Sequence, residues 1–300
     1  MTEPTNPHQR VAERIIAITQ SWAKDATLAD IRTSFDAFLA GPEPGVVETT
    51  EIAGRPATLT RPAHSDTSGI ILFCHGGGFQ IGSTQSHRSL MCRLAETAHT
   101  PVLGFDYRLA PEHRFPAAHE DCFAAYQALI AQGFPPEKII VAGDSAGGNL
   151  ALGVAAQARD AGLSVPAAIV LISPWLDVSL RGDSYISRAK EDLFSKPDQL
   201  KAMARTYLGR GGDPAHPLMN PLDADLTGLP PIVIHAGDYD ITCDDSVLLA
   251  QRAEQAGIPC ALKIWPKMFH HFQVFAELPE AAESLSEIGA FIRSTLLRTA

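Results

Sequence analysis

A strand that runs into a turn too tight for side chains, and out of it into a helix, is the feature that most limits what this chain can become. Ile139 to Val141 form an apolar, β-branched run, and Gly143-Asp144-Ser145-Ala146-Gly147 follow it. A small-residue helical segment, Gly148 to Ala158, leaves the turn. Two glycines flank the serine because the turn has no space for side chains there. Such a turn lifts the Ser145 hydroxyl clear of a sheet, and the next helix aims its backbone N–H groups at the same point. A G-x-S-x-G pattern also occurs by chance in ordinary turns. The strand before it and the helix after it are the context that marks a nucleophile.

A second signal stands upstream. Ile70 to Cys74 read as a buried strand, and His75-Gly76-Gly77-Gly78-Phe79 follow at once. Consecutive glycines leave backbone N–H groups unshielded, so they can face a developing oxyanion together with the N–H of Ala146. A flexible linker is the other reading of a glycine run, and the hydrophobic strand leading into it argues against that. No Gly-Lys-Ser/Thr occurs in the chain, so a phosphate loop is excluded.

A serine nucleophile needs a base, and the base needs an orienting acid, in the chain order Ser, Asp/Glu, His. Four histidines follow Ser145. His216 lies in a Pro/Gly-rich stretch and reads as an exposed loop residue. His235 lies inside an apolar strand and reads as a satisfied core histidine. His270 and His271 follow the strand-like Ala261 to Trp265, where a loop would sit at the C-terminal sheet edge that gathers active sites. One of this pair is the expected base. For the acid, Asp240 follows the strand Pro231 to Ala236, with Asp238, Asp244, Asp245 and the more distant Asp177 as rivals. Neighbouring histidines also suit a metal, but no H-E-x-x-H or Cys/His cluster accompanies them, so neither a metal nor another cofactor is expected.

Residues 8 to 40 read as two helical pieces that join near Ala26-Thr27-Leu28. From about residue 46, strands and helices alternate, which predicts a mostly parallel sheet of about eight strands with helices on both faces. The alternation breaks between about 180 and 226, in a polar insertion with a helical stretch, Pro197 to Tyr207. Hydrophobic residues make up 45% and charged residues 19% of the 300 residues, enough for one large domain, or one domain with a cap. The formal net charge of -10 comes with no basic run, so neither nucleic acid nor an anionic membrane is an expected partner. No apolar run reaches 18 residues and the first residues are polar, so no transmembrane span or signal peptide is expected, and the location is expected to be cytoplasmic. Five scattered cysteines without C-x-x-C spacing predict reduced, mostly buried thiols.

Four motifs in order now mark a family. They are His75-Gly76-Gly77-Gly78, Asp106-Tyr107-Arg108-Leu109-Ala110-Pro111-Glu112, Gly143-Asp144-Ser145-Ala146-Gly147-Gly148-Asn149-Leu150-Ala151 and Ser173-Pro174-Trp175-Leu176-Asp177. On these, roughly residues 45 to 295 resemble the bacterial hormone-sensitive-lipase-like esterases (family IV) of the α/β-hydrolase superfamily, in the branch whose elbow reads GDSAG. The resemblance implies an α/β-hydrolase fold and a serine carboxylesterase acting on short- to medium-chain esters through an acyl-enzyme. It places the nucleophile on Ser145, the acid on Asp240 and the base on His270, and the oxyanion hole on Gly77, Gly78 and Ala146. The family's acid string is Asp-Pro-Leu-x-Asp. Here Ile241 and Thr242 replace Pro and Leu, and Asp244 keeps the second acid. The base string is His-Gly-Phe, so His271 stands in the glycine's place before Phe272.

The resemblance also implies a cap over the serine, made from residues 1–45 and 180–226, on a catalytic domain of 46–179 and 227–300. Trp22, Phe35, Phe38, Phe79, Phe194, Met203 and Tyr207 are its candidate pocket residues. The Asp106 to Glu112 run is expected to be an internal salt-bridge and hydrogen-bond knot that supports the oxyanion loop. A homodimer through the last strand and the C-terminal helix is a further implied contact. A catalytically inactive ligand-binding member of the fold, or a hydrolase of lactones or amides, would share most of these features.

Overall fold

Four apolar runs of five or six residues become strands in which every residue is buried: β3 (Ile70–Cys74), β5 (Ile139–Asp144), β6 (Ala168–Ile172) and β7 (Ile232–Gly237). Continuous rather than alternating hydrophobicity is what parallel strands covered on both faces require. In this computed structural model, which describes residues 6–22, 26–65 and 68–298, they form the middle of a sheet with β1 (Val46–Ile52), β2 (Arg55–Arg61), β4 (Val102–Phe105) and β8 (Cys260–Trp265). The order is β1-β2-β4-β3-β5-β6-β7-β8. The β1–β2 hairpin meets β4 antiparallel, and every pairing from β4 to β8 is parallel. The eight-stranded, mostly parallel sheet agrees with the sequence expectation.

The two faces carry separate cores. Ile70, Leu72 and Cys74 of β3 join one core with helices α4 (Ala117–Ala131), α5 (Ala146–Asp160) and α8 (Cys243–Gln255). Ile71 and Phe73 point the other way, to a core shared with α3 (Arg88–Ala98) and α9 (Pro279–Arg298). The period-two alternation of side chains across a strand produces this division. Helices α1 (Pro7–Trp22) and α2 (Leu28–Phe38) attach to the second core through Val11, Ile15 and Phe35. Helix α2 begins at a capping box: Thr27 accepts from the Asp30 N–H, and the Asp30 carboxylate accepts from the Thr27 N–H at 3.0 Å. The insertion after β6 carries a single helical turn, α6 (Ser184–Ser187), and helix α7 (Pro197–Leu208).

Because β5, β7 and β8 run parallel, the loops after them emerge at one sheet edge. Ser145 leaves β5, Asp240 follows β7, and His270 follows β8. The topology therefore gathers three distant stretches of sequence at the C-terminal edge, as open parallel sheets do. Among the described residues, no helix is long and apolar enough to cross a membrane.

Candidate active site

Ser145 sits between β5 and α5 with φ 52° and ψ −123°. That is a costly conformation for a residue with a side chain, on the order of 1–3 kcal/mol, and it persists only where surroundings enforce it. Here they do. The Ser145 N–H donates to the Ile172 carbonyl (2.9 Å), and its own carbonyl accepts from the N–H groups of Gly148 (2.9 Å) and Trp175 (3.0 Å). The flanking glycines are required by close approach: a Cβ on Gly143 would strike the Gly147 carbonyl, and one on Gly147 would strike the Cys74 carbonyl.

His270 bridges the serine and an aspartate. Its Nε2 lies 2.7 Å from Ser145 Oγ and its Nδ1 lies 2.9 Å from Asp240 Oδ1. Asp240 Oδ1 also accepts from the Thr242 N–H (2.7 Å) and hydroxyl (2.9 Å). All three side chains are buried, with Ser145 only 6% exposed. Burial alone would push the Asp240 carboxyl up, but His270 and these hydrogen bonds hold it below its ordinary value. Burial likewise opposes the charged imidazole of His270, and the Asp240 charge overcomes it and raises its pKa.

The rival acids are engaged elsewhere. Asp245 accepts from the Leu176 and Asp177 N–H groups and from the Tyr185 hydroxyl. Asp244 accepts from the Ser184 N–H, Asp177 pairs with Arg181, and Asp238 accepts from the Lys267 N–H. His235 is buried and meets Ser284 Oγ at 2.9 Å. His216 is half-buried rather than exposed, because its ring packs edge-on against Phe115 at 4.8 Å.

A second buried carboxylate organises the loops around this group. Asp144 Oδ1 accepts from the Gly76 N–H (2.9 Å), while Oδ2 faces His271 Nδ1 (2.9 Å) and His87 Nε2 (3.2 Å). One anion thus ties the glycine loop, the histidine loop and the start of α3 to the serine turn. Burial would raise the Asp144 carboxyl, and the His87 and His271 rings reverse this and hold it well below the carboxylate range. His271 has left-handed backbone, φ 39° and ψ 41°, which explains why a glycine suits that position in related sequences.

The glycine loop is braced from beneath. The Tyr107 hydroxyl donates to the His75 carbonyl (2.7 Å), its ring stacks on His75 at 4.1 Å, and the Ala110 N–H donates to the Phe79 carbonyl (2.8 Å). The Asp106–Glu112 run therefore supports the loop as expected, but its ion pairs are not internal. Arg108 pairs with Glu120 and Asp121 of α4, and Glu112 pairs with Arg32 of α2. Arg32 also donates to the Gln80 and Ala110 carbonyls, linking α2 to the loop. Among the described residues, the N–H groups of Gly77 and Gly78 make no hydrogen bond, and both glycines border the cavity that holds Ser145.

That cavity is about 30 Å³, and Trp22, Phe35, Phe194, Ser195, Leu200, Met203 and His271 wall it with the serine, His270 and the two glycines. Of the candidate pocket residues, Trp22, Phe35, Phe194 and Met203 thus border the cavity. Phe79 and Tyr207 do not. Both are fully buried and stack on each other at 4.3 Å beneath the glycine loop, where Tyr207 also meets His119. Phe38 lies one layer behind, against Phe194 and Phe275. Helical spacing marks Phe38 and Tyr207 as apolar-face residues, and Phe79 follows the glycine run; neither signal says which side of the loop a ring would fill.

Asp192 was not singled out by the sequence. It lies buried in the insertion, and its carboxylate falls within 4.8 Å of the Asp240 and His270 ligand atoms. His87, Asp144 and His271 form a comparable trio. In both, the hydrogen bonds given above and below account for the close approach.

A family described as having the alpha/beta hydrolase fold matches residues 71–274. The chain belongs to it. An acetyl-hydrolase of Streptomyces hygroscopicus is 42% identical over 255 residues, covering 85% of this chain and 84% of that protein. An esterase of Acinetobacter venetianus is 38% identical over 233 residues, covering 77% of each. A crystal structure of an esterase from the bacterial hormone-sensitive lipase family superposes with a TM-score of 0.92 at 36% identity, covering 97% of this chain and 98% of that one. This α/β-hydrolase is therefore a member of the bacterial hormone-sensitive-lipase esterases.

Proposed function

We propose that this α/β-hydrolase cleaves carboxylic esters of short to medium acyl chains through Ser145, His270 and Asp240. The observation that carries the proposal is the single imidazole placed 2.7 Å from a serine hydroxyl and 2.9 Å from a buried carboxylate. Asp240 is an ionised acceptor, so His270 must carry its proton on Nδ1 and present the Nε2 lone pair to Ser145. His270 then removes the Oγ proton as Oγ attacks the ester carbonyl carbon. The N–H groups of Gly77, Gly78 and Ala146 receive the oxyanion, and each such donor lowers the barrier by about 3 kcal/mol. His270 returns the proton to the leaving alcohol as the ester C–O bond breaks. Water repeats the sequence on the acyl-enzyme, releasing the acid and restoring Ser145.

The acetyl-hydrolase name of the 42%-identical relative supports a short acyl group. The test is hydrolysis of p-nitrophenyl esters of graded acyl length by wild type and Ser145→Ala. Turnover should peak at short chains, and the variant should lose roughly six orders of magnitude in kcat while remaining folded. Absence of ester turnover in folded wild type would overturn the proposal.

A further inference from the structure

Besides Asp240, a buried carboxylate from the insertion faces the histidine of this site. Asp192 Oδ1 accepts from the N–H groups of Phe194 (2.8 Å) and Ser195 (3.0 Å), both of which wall the cavity. Its Oδ2 accepts from the N–H of Ile241 (3.0 Å), the residue after Asp240. The Lys196 ammonium binds the Asp192 backbone carbonyl, not its carboxylate. Building on the proposed triad, we propose that Asp192 is a positioning residue: it fastens the pocket wall to the acid loop and adds a further negative charge at His270.

The chemistry of the side chain supports this. Three backbone donors converge on its two oxygens, so an anion is the natural occupant. An asparagine could serve one side only, because its NH2 would face an N–H on the other. The groups that face His270 are Asp240 after β7, Asp192 from the insertion, Asp144 at the end of β5, and the neighbouring His271, Thr242 and Ser145. Asp192 itself is buried against Asp240, and burial first and that like charge second push its carboxyl up to about 6. Above that pH it is ionised, and its charge stabilises the His270 imidazolium.

The sign of the effect is fixed. Hydrolysis requires neutral His270, so kcat/KM falls on the acid side as His270 takes up a proton. Removing the Asp192 charge lowers the His270 pKa and moves that limb to lower pH. The experiment is the pH profile of kcat/KM and of KM for p-nitrophenyl butyrate, read at the isosbestic wavelength of the phenol, in wild type, Asp192→Asn and Asp192→Glu. The asparagine variant should move the acid limb down by about one pH unit and raise KM several-fold. The glutamate variant, which keeps the charge, should hold the limb near wild type while KM still rises. A limb unmoved in Asp192→Asn, with activity lowered equally at every pH, would reduce Asp192 to scaffolding and overturn the proposal. If neither variant folds, infrared titration of wild type beside Asp245→Asn, which removes the other buried carboxyl raised toward neutrality, decides: the remaining buried carboxylic acid band should be gone at the pH of full activity, and a band that persists there leaves Asp192 uncharged and overturns the proposal. Wild type without ester turnover would fail the triad itself, a result separate from all of these.

Discussion

His270 and His271 are neighbours in the chain, and each directs Nδ1 to a buried aspartate at 2.9 Å. Yet their acidities diverge. His270 is raised above its ordinary value, whereas His271 is lowered to about 4. Burial lowers both; the surrounding charges separate them. His270 faces Asp240, Asp192 and Asp144, while His271 shares its one close carboxylate with His87 and lies beside His270. Their second nitrogens differ as well. His270 Nε2 meets Ser145, and His271 Nε2 has no partner among the described residues. A histidine–aspartate pair is thus not sufficient for a base. The count of carboxylates around the ring, and what the far nitrogen touches, separate the proposed base from its neighbour.

That contrast can be broken from several sides. The largest effect is expected from Asp240→Asn, which would leave His270 in the wrong tautomer and lower kcat by about four orders of magnitude. Asp144→Asn should spare far more of kcat, and steady-state kinetics on the two variants gives the comparison. Acid tests the electrostatic half of the contrast. His75, His119, His235 and His271 are all buried and lowered to about 4. Between the ordinary value of 6.5 and about 4, the unfolded chain binds protons that the folded chain refuses, so stability falls as pH falls. His270 works in the opposite direction, stabilising at low pH and losing that contribution as pH rises. Asp192 and Asp245, raised to about 6 and about 7 by burial, also take up protons in the folded chain and act with His270. Four groups against three should still lower stability, by a few kcal/mol in all, and urea titrations from pH 7 to 4 would measure it. A flat profile would mean these rings are not held neutral.

Asp144→Asn should then destabilise the fold by about 3 kcal/mol, because His87, His271 and Gly76 all direct donors at the lost charge. The smallest effect is expected for His271→Gly. It loses one charge-assisted hydrogen bond of about 2 kcal/mol and relieves left-handed strain of about 1 kcal/mol. Denaturant midpoints should move little and kcat should fall less than tenfold. A loss of kcat matching that of Asp240→Asn would erase the distinction between the two histidines.

Much of this was legible in the sequence, for physical reasons that differ by residue. The strands were readable because parallel strands buried on both faces are uninterrupted apolar runs, as in Ile70 to Cys74. Gly143 and Gly147 were readable because close approach tolerates no Cβ. Asp240 and His270 were indicated by chain order and by the resemblance, since the fold returns to one sheet edge after each parallel strand. Asp192 was hidden: an acid in a polar insertion looks like a solvated loop charge until the insertion folds back onto Ile241. The partners of Arg108 and Glu112 were hidden for the same reason. Sequence proximity suggested a knot within seven residues, whereas Arg32 and Asp121 arrive from other helices. Phe79 and Tyr207 failed because an aromatic ring beside a glycine loop can pack above it or beneath it, and their mutual stacking fills the lower side.

The cavity beside Ser145 has its own consequence. At about 30 Å³ it has space for roughly two water molecules. Met203 rests its sulfur where a Cβ on Gly78 would stand, and Phe35 lies 6.2 Å from Trp22 and 6.3 Å from Phe194. An ester is several times larger, so it would have to bind to a form in which these groups have separated. Apparent affinity is then the intrinsic affinity scaled by the population of that form. Substitutions in the Trp22–Phe194–Met203 seam would therefore tune KM through how often the molecule is open, even where they touch no atom of the substrate.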